Sequence, residues 1–176
     1  MFSRIAFLVI FLLDTLIVGS CNRKGPGDGL LSNFSDEKKV NTRMEQILMA
    51  IKQKNEEALK SLFSKKALQE ANDIEGGINY LFSFIEGDIK SWEIVRWSSG
   101  TDREHGKYTE MLRSWNSVKA DDHKYLFFII DFPEDTINPE NTGLFTLRVI
   151  RAEDEETQFT YWQKMMIAGI YRPLAK

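Results

Sequence analysis

Val40, Met44, Ile47, Leu48 and Ile51 recur at the i, i+4, i+7, i+8, i+11 spacing of one helix face, with polar residues between them. Ser35 is placed to cap this helix, and Asp36 and Glu37 suit the positive end of its dipole. Three shorter helices follow. Asn55 caps the first, with Ala58, Leu59, Leu62 and Phe63 as its apolar face; Ser64 caps a second through Leu68. Asp73 caps the third, where Ile74, Ile78, Leu81, Phe82 and Ile85 repeat the helical spacing and Gly87 is a natural stop. After Gly87 the period changes to two. Aromatic and β-branched residues alternate with polar ones, predicting strands near 88–98, 106–119, 124–133, 143–152 and 160–171. The intervening Ser98-Ser99-Gly100, Ala120-Asp121-Asp122, Asn138-Pro139-Glu140-Asn141 and Glu153-Asp154-Glu155-Glu156 are turn-like or acidic. Helices first, then an antiparallel meander, predict a single α+β domain over 36–173 with helices packed on one face of a curved sheet.

One strand breaks the alternation. Tyr125, Phe127, Ile129 and Asp131 share one face, while Leu126, Phe128, Ile130 and Phe132 share the other. A strand apolar on both faces is central and covered twice. Helices cover one side. The other needs the C-terminal strand wrapping over, a homodimer through the sheet face, a partner, or curvature with flanking strands as cover.

The N-terminus carries an address. Arg4 precedes nine consecutive apolar residues, Ile5 to Leu13, and after Asp14 and Thr15 come Leu16, Ile17 and Val18. The stretch 5–18 is short of the roughly 20 apolar residues a bilayer-crossing helix needs, and it contains a carboxylate. A positive start, a short apolar centre and small residues before a cut define a secretory signal over 1–20. It ends Val18-Gly19-Ser20-Cys21, which resembles the bacterial lipobox; that resemblance implies cleavage before Cys21 and lipidation of its sulfur, against the plain alternative of a free or buried thiol. Residues 21–35 hold three glycines and a proline within NRKGPGDGLLSNFS and are expected to form a flexible tether, with a reach of roughly 20 Å for fourteen residues. The expected location is the outer side of the cell membrane, held by acyl chains.

Composition narrows the partners. A net charge of -3 and a pI near 5.5 argue against a nucleic-acid binder, which would show a basic stripe. One cysteine excludes an intrachain disulfide framework and a cysteine-rich zinc site.

Several segments resemble a known family: Glu57 to Leu68 (EALKSLFSKKAL), Trp97-Ser98-Ser99-Gly100, Arg113-Ser114-Trp115, Asn138 to Asn141 with Gly143-Leu144, Ala152 to Glu155, Tyr161-Trp162-Gln163 and Ile167 to Tyr171. Over roughly 40–173 the chain is similar to Gram-positive bacterial lipoproteins of domain-of-unknown-function family 5104. The resemblance implies the nuclear-transport-factor-2-like, or cystatin-like, fold, in which helices pack into the concave face of a curved antiparallel sheet. It carries no assigned active-site residues, and the fold hosts isomerases, dehydratases, inhibitors and binding modules alike.

A curved sheet closed by helices forms a cone whose mouth holds small molecules. Asp131 is the candidate polar group within it, with Trp97, Arg113 and Arg148 as further pocket residues. Among apolar neighbours its carboxyl would be pushed up, as a general base requires; alternatively it marks the strand end and faces water, since Pro133, Glu134 and Asp135 follow. His105 and His123 fall in turns without metal-binding spacing, and Asp131 to Asn141 lacks the glycine and terminal glutamate of a calcium loop. Trp92, Trp97, Trp115 and Trp162 read as core, or else as the lining of a pocket or a partner surface. No nucleophile elbow, phosphate loop or dinucleotide fingerprint occurs, and neither metal nor cofactor is expected. The leading expectation is a non-catalytic lipoprotein binding a small molecule or a protein, with an immunity-type role against a secreted toxin as one form. The alternative is a small isomerase- or dehydratase-like enzyme using Asp131 as base.

Overall fold

The structure is a computed structural model and describes residues 26–159 and 165–172, with side chains from residue 34 onward. The leader, the cleavage positions Val18, Gly19 and Ser20, and Cys21 lie outside the described residues, as do Tyr161, Trp162 and Gln163. Four helices come first: α1 (Pro26–Lys52), α2 (Glu56–Ser61), α3 (Lys65–Glu70) and α4 (Ile74–Phe84). Strands β1 (Ile89–Glu104), β2 (Lys107–Ala120), β3 (His123–Asp135) and β4 (Gly143–Arg151) follow; then come a 3-10 turn, the one-turn helix α5 (Glu155–Gln158) and the two-residue strand β5 (Gly169–Ile170). The sheet order is β1-β2-β3-β4-β5, antiparallel except for the parallel β4–β5 pair. This is the expected α+β class, and it is compatible with the nuclear-transport-factor-2-like layout.

The helical face read from the spacing is the buried face. Val40, Met44, Ile47, Leu48 and Ile51 all enter the core, joined by Leu59, Ile78 and Leu81. The three internal caps form as expected. Asn55 accepts from the Ala58 amide at 2.9 Å, Ser64 from Ala67 at 3.0 Å and Asp73 from Gly76 at 2.8 Å. Each satisfies an amide that has no partner within its own helix. Asn55 is exposed and the substitution removes this side-chain bond while leaving its backbone bonds to Ala50 and Leu59, so Asn55→Ala should lower the unfolding free energy by about 1 kcal/mol, read as a shift of the urea midpoint at unchanged slope.

Three boundaries differ from the expectation. Helix α1 starts at Pro26, so Ser35 lies inside it and residues 26–35 are helix, not flexible tether. Glycines weaken a helix by only about 1 kcal/mol each, Pro26 at its first position is favourable, and the strong amphipathic run beyond 36 propagates backwards. Ser98-Ser99-Gly100 is not a turn: β1 runs through it in register with Arg113, Leu112 and Met111. The reversal comes at His105 and Gly106, whose φ of 47° and 80° give the left-handed pair that a two-residue hairpin demands. Among the described residues the fifth strand is Gly169–Ile170, and it runs parallel to β4, not antiparallel. The acidic run Glu153 to Glu156 explains this: it makes helical turns, with acids at the N-terminal end of α5, in place of a hairpin.

Residues Tyr125 to Phe132 of β3 are each at most 8% exposed, as a strand covered on both faces requires. On one face Tyr125 donates to the Phe84 carbonyl at 3.2 Å and accepts from the Glu86 amide at 2.9 Å, pinning the end of α4 to the sheet. On the other face the chain's own C-terminal segment provides cover: Phe159 lies 6.1 Å from Phe128, and Arg148 stacks on Tyr171 at 3.7 Å. Gly143 opens β4 at a φ of 124°. A β-carbon there would sit 2.9 Å from the Ser64 amide, where the α2–α3 link bonds to Leu144.

Candidate functional site

Asp131 is not at a solvated strand end. Its side chain is 6% exposed, and Arg43 of α1 lies against it, Nε to Oδ2 at 3.0 Å. The pair is ionic in character, with the Nε–H not aimed along that line, and Oδ1 is buried without a hydrogen-bond partner among the described residues. Burial pushes the Asp131 carboxyl above the usual carboxylate range, and the charge of Arg43 only partly offsets this. Both residues line a cleft of about 350 Å³ between α1 and β3, whose walls include Lys38, Lys39, Thr42 and Gln46 on the helix and Pro133 on the strand. Lys39 closes one side by reaching both oxygens of the buried Glu110, at 2.6 and 2.7 Å.

The four pocket residues expected from the sequence do not meet. A β-sheet sends neighbouring side chains to opposite faces. Asp131 turns towards α1, whereas Arg113 pairs with Ile130 and Arg148 with Phe128, both on the face away from the helices. Arg148 lies among Phe159, Tyr171 and Gln158; burial lowers its pKa below the ordinary arginine value. Trp97 is half-buried on β1 opposite Ser114, two strands from β3. The partner that the sequence reading missed is Arg43. Its signal is visible in hindsight: position 43 falls three after Val40 and four before Ile47, on the margin of the core-facing stripe, where a cation needs a buried acceptor.

Asp135, four residues on, has a different task. Its oxygens accept from Thr109, Ile137, Asn138 and Asn141. Burial opposes its charge, but these donors together hold its carboxyl below the usual range. It orders the β3–β4 loop and is satisfied within the fold. A wider depression of about 460 Å³ near Trp92 and His123 carries no buried titratable group. His123 is half-exposed with its Nε2 3.2 Å from a Glu86 carboxylate oxygen, and His105 is exposed in its turn. Among the described residues no group of three or more His, Cys, Asp or Glu is placed to hold a metal ion, and no helix is long and apolar enough to cross a membrane.

A family model described as "Domain of unknown function (DUF5104)" matches residues 46–152. The span runs from the second half of α1 through the end of β4; it contains Asp131 and begins three residues after Arg43. No curated protein matches the chain.

Proposed function

The chain belongs to the domain-of-unknown-function family 5104, and from that premise we propose a membrane-anchored, extracytoplasmic lipoprotein whose domain binds a ligand without transforming it. The anchoring half is supported by the leader, too short to span a bilayer, and by the single cysteine placed directly after Val18-Gly19-Ser20. The binding half is carried by one observation: the space where a deep cone would open is filled. Met44 and Ile47 of α1, Leu81 of α4, and Phe127 and Leu147 of the sheet are all fully buried in one cluster. The accessible chemistry is therefore shallow and charged, in the cleft of Lys38, Arg43 and Asp131, and suits a charged group presented by a small molecule or a protein surface. An immunity-type interception of a secreted toxin is the form this takes for a protein ligand.

Mass spectrometry of membrane-isolated protein is expected to show residues 1–20 removed and Cys21 carrying diacylglycerol. Cys21→Ala should shift the protein out of the membrane fraction. A bare thiol with the leader retained, or unchanged membrane retention of the variant, overturns the anchoring.

A second reading, an isomerase- or dehydratase-like enzyme with Asp131 as base, is favoured by one feature. A buried carboxyl pushed upwards in pKa lines a cleft, as a general base does.

A further inference from the structure

The unexpected start of α1 changes how a lipid-held domain sits. Only four residues separate Cys21 from Pro26, so the helix begins no more than about 17 Å of extended chain from the anchoring sulfur. Among the described side chains Val40 is the first of α1 to be buried in the core, about 21 Å along the helix axis from Pro26, while Ser35 already borders the cleft of Asp131 and Pro133. Before that point Phe34 is 70% exposed, the most exposed large apolar side chain among the described residues. Leu30 and Leu31 precede it by about one turn in the same helix, and Lys38 follows it by one turn. Arg23 and Lys24 stand between the anchor and the helix.

Asp28, Asp36 and Glu37 offset these cations in number, so the apolar side chain carries the argument: an exposed aromatic with a cation one turn on, a short way from an acyl anchor, suits a segment seated in a membrane interface. We infer that the N-terminal turns of α1 dock in the outer bilayer surface, Phe34 entering the acyl boundary and Lys38 meeting the phosphate headgroups. The domain is then held at a fixed tilt, not swung on a loose tether, and the Arg43–Asp131 end of the cleft opens a little over one turn above Lys38. The next turns on the same side of α1 carry the polar Asn41 and Glu45, so insertion stops near Lys38.

This inference rests on lipid anchoring at Cys21, and its test separates the two. Lipidation consumes the only native thiol, so Phe34→Cys, Lys38→Cys and Glu45→Cys each give a single site for a nitroxide label. The lipidated full-length product is reconstituted in vesicles of phosphatidylglycerol and phosphatidylcholine, and each label's accessibility to oxygen is compared with that to a water-soluble nickel chelate. The expected result is a depth gradient: the oxygen-to-nickel ratio at 34 is several-fold that at 45, with 38 between them. Vesicle-bound protein with equal ratios at 34 and 45 overturns the docking and leaves the anchor standing. Protein that does not stay with the vesicles overturns both.

Discussion

Phe128→Ala is expected to destabilise the domain by about 3–5 kcal/mol and to loosen the C-terminal segment before the rest. Phe128 is the centre of a row that crosses the sheet on the face away from the helices: Arg96 on β1, Trp115 on β2, Phe128 on β3 and Arg148 on β4, each in register with the next. Arg96 lies over the Trp115 ring at 4.3 Å, Trp115 is 4.8 Å from Phe128, and Arg148 lies over Phe159 at 5.4 Å. Aromatic pairs and cations over rings add to area burial, but here they also tie α5 down, through Phe159 and the contact of Gln158 with Arg148 at 3.1 Å. Because neighbours hold Phe128 on every side, the space left by its ring cannot collapse cheaply. Phe127→Ala, one residue away on the helix face, removes as much buried area without touching that row. Both should lower the urea midpoint comparably. Only Phe128→Ala should admit protease after Arg151 in conditions where the remainder stays folded. Equal protection of that site in both variants would show that the segment is held by other contacts.

The contrast between these two neighbours marks how far the sequence is legible. Whatever depends on side-chain period can be read directly: the buried stripe of α1, the caps at Asn55, Ser64 and Asp73, and the double burial of β3. Chain direction after β4 cannot be read this way. Acidic residues suit a solvated hairpin and the first turn of a helix equally well, and the choice was decided by the apolar face of β3, which needed cover that a fifth antiparallel strand at the edge would not supply. The helical start at Pro26 was hidden by glycine content for the same reason. Local propensity is worth tenths of a kcal/mol to about one per residue and yields to a strong neighbouring run. The site was legible only by half. Asp131 stands out as the polar break in an apolar strand, but its partner lies 88 positions earlier, and no spacing rule connects Arg43 on a helix to a carboxylate on a strand.

That pair yields the second large effect. Arg43→Met should lower stability at neutral pH by about 3 kcal/mol, because it leaves a buried carboxylate with no opposing charge. The loss should shrink in acid, where a protonated carboxyl needs no cation. Asp131→Asn should behave in the opposite sense. The native state holds the Asp131 proton to a higher pH than the unfolded chain, whose carboxyl titrates near 3.9. Native protein therefore binds more protons within that window, and the contribution of Asp131 to stability falls as pH rises from the unfolded value through the raised native one. Asparagine has no such charge to bury, so the variant should match or exceed the parent at neutral pH, and the double variant should recover most of what Arg43→Met loses. Denaturant midpoints for the four proteins in acid and at neutral pH give the comparison. If Asp131→Asn is instead as damaging as Arg43→Met, the pair is a structural clasp and the cleft loses its standing as a site. A carboxylate retained against its own stability cost is the mark of a residue kept for what it touches, and either the binding or the catalytic reading of the cleft requires that outcome.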